Sequence, residues 1–469
     1  MKTSTKQNLP FEQLPNNIAG TGVLCPALIV SAPSSGSGKT TITAALARHH
    51  RNQGRKVTVF KVGPDFIDPM ILRQASGELV YQLDLWLVGE QGCRQLLYSA
   101  ALESDLILIE GVMGLFDGTP SSADLANYFS IPVLGVIDAS AMAQTFAAVT
   151  FGLAKYRPNL PFAGVIANRV NTARHQEILQ NCLSDDFCFF GRMPKDNSIT
   201  LPERHLGLVQ AQELTDIDSQ LNIAAAHMAE TGLADLTEAV EFFPIEEGID
   251  DEVSVNALAG TRIIIIKDKA FSFIYAANIA FLTQAGADIV YCSALDDSHL
   301  PEGDVLYLPG GYPELYAEQL MSNLSFLADL RDFAQANKPI VAECGGMLYL
   351  LEQLTDFLGK KFSMAGLIPG RALMQKKLAA IGSQSVELPF LVDSDVVDST
   401  IMRGHSFHYS SADIELAPVS QTKHHPSGRL GEFVYLHNNI VASYMHWYLP
   451  SNPMLSLKLF DKERLLDGL

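Results

Sequence analysis

The chain carries 33 Lys and Arg against 52 Asp and Glu in 469 residues, a net charge of −19. That balance argues against nucleic acid or an anionic membrane as partner, though not against a small anion held by a few local cations. Apolar residues at 48% exclude wholesale disorder, no apolar run reaches the roughly 18 residues of a membrane helix, and the polar N-terminus lacks a signal core; a cytoplasmic protein of two or three domains is expected.

Residues 1–26 read as a polar leader. ALIVSAP (27–33) then reads as a buried strand and Lys39 to Arg51 as a helix. KVTVFKV (56–62), LILIEGV (106–112), PVLGVID (132–138) and GVIANRV (164–170) read as further strands. Near-continuous apolar runs with helices between them indicate parallel strands covered on both faces, so residues 27–245 are expected to form a doubly wound α/β domain. The acidic, aperiodic stretch 246–259 reads as a linker. A second α/β alternation fills 260–469: TRIIIIK (261–267), a helix from about Phe273 to Ala285, DIVYCS (288–293), VLYLPGG (305–311), a helix across 314–321, and PIVAEC (339–344). FVYLHNNIVASYMHWY (433–448) reads as a hairpin turning at Asn438-Asn439. The six cysteines lack metal-ligand spacing, and apart from Cys344 they are expected to be reduced packing residues.

The stretch Pro33-Ser-Ser-Gly36-Ser37-Gly38-Lys39-Thr40-Thr41 lies between the first strand and its helix. That is the setting of a phosphate-binding loop, and Gly36 to Thr41 are the expected ATP contacts. Gly36 and Gly38 let backbone N–H groups curl around phosphate oxygens at a helix N-terminus. Lys39 would reach the β/γ-phosphates and the Thr40 hydroxyl would ligate Mg²⁺. Pro33 stands where the usual pattern begins with glycine, and the plainer alternative is a turn that only caps a helix. Acids follow at strand ends: Asp65 and Asp68 beyond the second strand, with Lys61 beside them, then Glu110 and Asp117. A carboxylate at the end of a buried strand is costly unless paired, and Mg²⁺ is the natural partner beside a phosphate loop. Glu110 and Asp65 are therefore candidate metal ligands with Thr40. Asn168 and Arg169 could read a base edge or an anion, and Arg174-His175 and Arg204-His205 add cations; solvated surface is the alternative for these.

Cys344 ends a β-branched run and is followed by Gly345 and Gly346 and a helix-like segment. A strand–turn–helix elbow exposes a nucleophile under strain, and the helix N-terminus behind it is expected to lower the thiol pKa. Gly310 and Gly311, at another strand end, are candidates for an oxyanion hole. His446, late in the chain, is the candidate general base. A phosphate loop with clustered acids implies γ-phosphoryl transfer, and a Cys–His site implies an acyl-enzyme. Together they suggest glutamine hydrolysis that feeds ammonia to a carboxylate activated by ATP.

APSSGSGKTT, FKVGPDFIDP, IEGVMGLFDG, NRVNTARH and LPERHLGLV resemble the synthetase half of the cobyrinic acid a,c-diamide synthases. DKAFSFIYAANIAFL, LPGGYPELYAEQL, AECGGMLYL and RGHSFHYS resemble their glutamine amidotransferase half. The resemblance runs from about Ala27 to Tyr448. It implies a dethiobiotin-synthetase-like P-loop domain joined to a class I amidotransferase domain. It also implies a ligase that uses ATP, Mg²⁺ and glutamine to amidate the a- and c-acetates of a corrin precursor. By motif, Lys39 and Thr40 would hold phosphate and metal, and Glu110 would join the metal. Asp65, Asp68 and Asp117 would lie around the metal and the substrate carboxylate. Cys344 would form a glutamyl thioester with His446 as base, and ammonia would pass internally. Lys61, Arg169, Arg174, Arg204 and His205 are the expected cations for a polycarboxylate.

Two positions depart from the pattern. Class I amidotransferases commonly carry Glu two residues after the catalytic His, where this chain has Tyr448, so a dyad is expected, oriented by some other group. The family usually reads GHEFHYS where this chain has Ser406 for the Glu. Rival readings keep the chemistry on hydrogenobyrinic acid or a nickel sirohydrochlorin, or shift it to cobyric acid synthesis. Another makes the chain a non-enzymatic P-loop switch with an inert amidotransferase domain. A homodimer stays an open alternative.

Overall fold

A computed structural model of the chain describes residues 21–199, 216–245, 256–391 and 400–464. Two units partition it, Met1–Ile249 and Asp250–Leu469.

In the first unit the elements run β1 (Val23–Ser31), α1 (Lys39–Asn52), β2 (Val57–Lys61), α2 (Ile67–Ser76), β3 (Tyr81–Gln82), α3 (Glu90–Glu103) and β4 (Leu106–Glu110). They continue α4 (Ser122–Phe129), β5 (Val133–Asp138), α5 (Thr145–Lys155), β6 (Phe162–Asn168), α6 (Ala173–Asn181), β7 (Phe189–Arg192), α7 (Ile217–Met228) and β8 (Ala239–Phe242). The sheet order is β3-β2-β4-β1-β5-β6-β7 with parallel pairing. All of Leu106–Ile109 in β4 is inaccessible to solvent, as expected for a strand with helices on both faces. The order reverses around β1, which has β4 on one side and β5 on the other. Ligands of such sheets sit at the carboxyl ends of the strands beside that reversal. The register sets the chemistry there: Val30 pairs with Glu110 and Lys61 pairs with Glu110. The strand begins at Val23, inside the stretch expected to be leader, because Val23–Pro26 pairs antiparallel with β8. That pairing comes from a strand more than 200 residues away in sequence, which local pattern cannot show.

The second unit begins with β9 (Arg262–Ile266), β10 (Phe271–Phe273), α8 (Ala276–Gln284), β11 (Asp288–Cys292), β12 (Val305–Leu308) and β13 (Gly310–Gly311). It continues with α9 (Ala317–Ser322), α10 (Leu324–Gln335), β14 (Ile340–Glu343), α11 (Gly345–Leu350), β15 (Leu351–Thr355), β16 (Lys361–Ser363) and β17 (Ile368–Met374). Then come β18 (Ala380–Glu387), β19 (Ile401–His408), β20 (Ser410–Ile414), β21 (Ser420–His424), β22 (Leu430–His437), β23 (Ile440–Ser443), β24 (His446–Trp447) and α12 (Pro453–Leu459). The main sheet runs β11-β9-β12-β14-β23-β22-β21-β18-β19-β24. Its first five strands pair in parallel. β22 and β23 form the expected hairpin, with Asn438 at φ 52 in the turn. The hairpin does not run on to residue 448. After Tyr444 and Met445 the chain leaves it, and β24 pairs with β19. That step returns the far end of the sheet to the end of β14. The helix expected across 314–321 divides into a 3-10 turn at Pro313–Leu315 and α9.

Candidate functional site

The loop from β1 to α1 turns on Gly36 at φ 77 and Gly38 at φ 97, a region that favours glycine. A Cβ on Gly36 would meet open space, whereas one on Gly38 would collide with the Asn168 amide. Asn168 ends β6 and donates from Nδ2 to the Ser37 carbonyl at 2.9 Å. Its place is therefore to brace the loop. The Ser37 hydroxyl donates to the Ser34 carbonyl at 3.0 Å, and Thr41 sits half-buried in the first turn of α1. Lys39 folds back over the loop, donating to the carbonyls of Ser34 at 3.1 Å and Met113 at 2.5 Å. Burial and the neighbouring Lys61 ammonium lower its pKa.

Thr40 donates to Glu110 Oε1 at 2.7 Å. Lys61 is buried and reaches Asp68 at 2.7 Å, Glu110 at 3.0 Å and Asp65 at 3.9 Å. Burial opposes its charge, but Asp68 and Glu110 hold the ammonium well above its ordinary value. Burial raises Glu110 to about 7 against the pull of Lys61, and burial with the charge of Asp68 raises Asp65 to about 7. Burial acts on Asp68 in the same direction, yet Lys61 holds it below the usual carboxylate range. Asp65 Oδ1 also accepts the N–H groups of Ile67 and Asp68, capping α2. Asp117 is exposed and accepts the Gly114 N–H at 3.0 Å, in a turn that packs on the Pro33 carbonyl.

Among the described residues no three His, Cys, Asp or Glu side chains stand together as a metal cluster. Of the expected ligands, Thr40 and Glu110 come together, while Asp65 turns to α2 and Lys61. The pair still fits Mg²⁺, which commonly takes one or two protein oxygens and completes its shell with phosphate and water. Glu110 Oε2 is buried without a hydrogen-bond partner, an arrangement that costs free energy unless something binds there.

The second cluster lies at the end of β14. Cys344 has φ 42 and ψ −107, a strained conformation for a residue with a Cβ. Its N–H donates to the Ser443 carbonyl at 2.7 Å. A Cβ on Gly346 would collide with the Leu308 carbonyl, and one on Gly345 would lie 2.9 Å from the Gly311 nitrogen. Both glycines are thus required by close backbone approach. Gly310 and Gly311 form β13, paired with β10, and a Cβ on Gly310 would collide with the His446 ring. The elbow, the Gly-Gly strand and the imidazole are brought together. The thiol differs from expectation: burial, then the Glu314 carboxylate, push its pKa well above the ordinary value. The six residues of α11 offer too little to reverse that. Glu314 is itself raised to about 7 by burial.

His446 is buried, its ring stacked on His405 with centroids 5.0 Å apart and planes 20° from parallel. His405 Nδ1 shares a 2.6 Å hydrogen bond with the Tyr275 hydroxyl. Glu343 Oε2 lies 3.7 Å from His446 Nδ1.

The profile of a CobQ/CobB/MinD/ParA nucleotide binding domain matches residues 28–209, and that of a CobB/CobQ-like glutamine amidotransferase domain matches 262–454. Hydrogenobyrinate a,c-diamide synthase of Pseudomonas aeruginosa is 50% identical over 445 residues, covering 94% of this chain and 99% of that one. The enzyme of the same name from Stutzerimonas stutzeri is 50% identical over 436 residues, covering 93% and 98%. Cobyrinate a,c-diamide synthase of Herminiimonas arsenicoxydans is 43% identical over 437 residues, covering 93% and 97%. The chain belongs to the a,c-diamide synthase family. It is a carbon–nitrogen ligase with a nucleotide-binding P-loop domain and a glutamine amidotransferase domain.

The cations expected to meet a polycarboxylate are already engaged where they are described. Lys61 sits among its three acids, Arg169 pairs with Asp138 at 2.5 Å, and Arg174 pairs with Glu177 at 2.8 Å on the surface. His175 Nε2 meets the Met142 carbonyl at 2.7 Å. Arg204 and His205, with the LPERHLGLV segment, lie outside the described residues, as does much of the expected linker. Ser406 is buried, bonded by Gln384 at 2.5 Å, and its hydroxyl lies 3.4 Å from Glu432 Oε1. Glu432 comes from β22 and also meets His408 Nε2 at 3.2 Å. A carboxylate therefore occupies the neighbourhood of Ser406 from a different strand. Glu343 and Glu432 were not singled out from sequence. Glu343 carried a usable signal, as an acid ending the apolar run of β14 just as Glu110 ends β4.

Proposed function

We propose that this protein uses ATP and glutamine to amidate the a- and c-acetate side chains of a polycarboxylic corrin, cobyrinic acid or its metal-free counterpart hydrogenobyrinic acid. The reading is carried by one conjunction: a phosphate loop whose Thr40 meets a buried strand-end carboxylate, and a strained Cys344 elbow and a buried His446 that both border the Gly310–Gly311 strand, in one chain. The names of the relatives supply the substrate class. The two at 50% identity favour the metal-free corrin.

A carboxylate is a poor acyl donor. Transfer of the γ-phosphoryl group to one of its oxygens gives an acyl phosphate and ADP. Ammonia then adds to the acyl carbon and phosphate leaves, forming the amide. The N–H groups of Gly36 to Thr41 would cradle the phosphates, with Asn168 fixing the loop and Lys39 placing its charge there. Mg²⁺ would be held by Thr40 and Glu110 and would neutralise phosphate charge. Asp65, Asp68 and Asp117 border this site, and Lys61, kept charged by Asp68 and Glu110, is positioned to offset the anions gathered there. In the other unit, the Cys344 thiol gives its proton to His446 as sulfur adds to the glutamine amide carbon. N–H groups near Gly310 and Gly311 would stabilise the resulting oxyanion. The C–N bond breaks, ammonia leaves with the proton from His446, and water hydrolyses the thioester to glutamate.

The test is mass spectrometry of each corrin after incubation with enzyme, ATP, Mg²⁺ and glutamine, with fragmentation to place the amides. Two amides at a and c are expected, with the metal-free corrin turned over faster. Amides at other side chains, or unchanged corrin with both substrates, would overturn the assignment.

A further inference from the structure

The imidazole of His446 has a carboxylate on its Nδ1 side. Glu343 Oε2 lies 3.7 Å from Nδ1, with the two side chains 2% and 1% exposed. The other oxygen, Oε1, accepts the N–H of Trp447 at 3.1 Å. One carboxylate thus holds the strand that carries the imidazole and faces the imidazole itself. β14 is otherwise apolar, and an apolar residue would satisfy its packing without the cost of a buried charge. Position 448, where an acid two residues after the histidine would stand, is Tyr, and its ring packs edge-on against Tyr275.

We propose that Glu343 is the positioning residue of the thiol site: its carboxylate keeps the proton of neutral His446 on Nδ1, leaves Nε2 to receive the Cys344 proton, and stabilises the imidazolium that forms. The proton moves from Sγ to Nε2 and later to the leaving ammonia, while the Nδ1 proton stays between His446 and Glu343, whose carboxyl group burial pushes up in pKa and the neighbouring His446 pulls back down. The other titratable groups around the pair are His405, stacked on His446, Tyr275 behind it, Tyr307 near Glu343, and Glu314 and Glu432 near Cys344. His405 is kept neutral by burial, and by the charge of His446 when that ring is protonated, so it brings no competing charge to the ring.

The proposal rests on the reading of Cys344 and His446 as a glutaminase, and its test separates the two. Glu343→Gln keeps an acceptor for Trp447 and removes the charge. Its glutaminase kcat/KM should fall about 100-fold, with KM little changed. Glu343→Asp should recover part of the loss. Amidation driven by ammonium should persist in the full-length variant. An unchanged kcat/KM would overturn the proposal. In the wild-type protein, ¹⁵N-histidine NMR, assigned by the signal lost in His446→Gln, should show the Nδ1–H tautomer; an Nε2–H tautomer would overturn the proposal even if both variants failed to fold. Glutaminase activity surviving Cys344→Ala would defeat the parent reading instead, and the tautomer would still decide the place of Glu343.

Discussion

Lys61 and Cys344 are both buried, burial favours the neutral form of each, and their neighbours decide the outcome. Lys61 keeps its charge because Asp68 and Glu110 stand at 2.7 and 3.0 Å. Cys344 has acids for neighbours, Glu314 first among them, so burial and charge both favour the neutral thiol. The thiol should lose its proton only as glutamine enters and His446 accepts it. In the substrate-free protein, iodoacetamide labelling of Cys344 should therefore be slow at pH 7 and rise about tenfold per pH unit to pH 9, following the thiolate fraction. Peptide mass spectrometry reads this site by site. A rate that levels off below pH 8 would mean a thiolate already formed in the resting protein. Sequence alone singled out Cys344, His446 and the strand-end Glu110 as candidates, since each ends an apolar run or sits beside glycines. It could not show that acids surround the thiol, because Glu314 and Glu432 arrive from distant segments.

At the scale of elements, α1 joins the phosphate loop to the core. Its first turn holds Lys39, Thr40 and Thr41, and its last turn buries His50. His50 Nδ1 accepts from Arg55 at 3.2 Å, and Nε2 faces the Leu233 carbonyl at 3.3 Å, which together describe a neutral ring. Burial, then the Arg55 charge, lower its pKa to about 4. Between pH 4 and about 6.5 the unfolded chain therefore binds a proton here that the folded chain refuses. The stability from this group is complete above pH 6.5 and is lost as pH falls towards 4. After allowing for solvent screening the loss is on the order of 1–2 kcal/mol. Urea unfolding of full-length wild type and His50→Gln across pH 4–7 should show a shallower acid loss in the variant. Parallel slopes would refute the assignment. Strands β1, β2, β4, β5 and β6 of the first unit and their loop were legible from apolar runs alone, as was α1. β3, β7, β8, β13 and the sheet β16-β15-β17-β20 were not. Each depends on pairing with remote segments, and the two glycines of β13 have no side chains to pattern.

At the scale of the molecule, the chain carries two candidate sites, one in each unit. The first unit gathers a phosphate loop, a Thr–Glu pair and a caged lysine at the carboxyl ends of its strands. The second gathers thiol, imidazole, glycine strand and Glu343 around the end of β14. The joint arrangement was readable because both motifs are local in sequence, strand followed by loop followed by helix. The corrin substrate class came from the family resemblance and not from the cations, because Lys61, Arg169 and Arg174 are bound to the protein's own acids. In the proposed reaction the second unit supplies ammonia to a carboxylate activated in the first. The most direct measurement is corrin amidation by Cys344→Ala in the presence of ATP, supplied either with glutamine or with ammonium. No amidation is expected with glutamine, and restored amidation with ammonium. Amidation with glutamine, or none with ammonium in a folded variant, would contradict it.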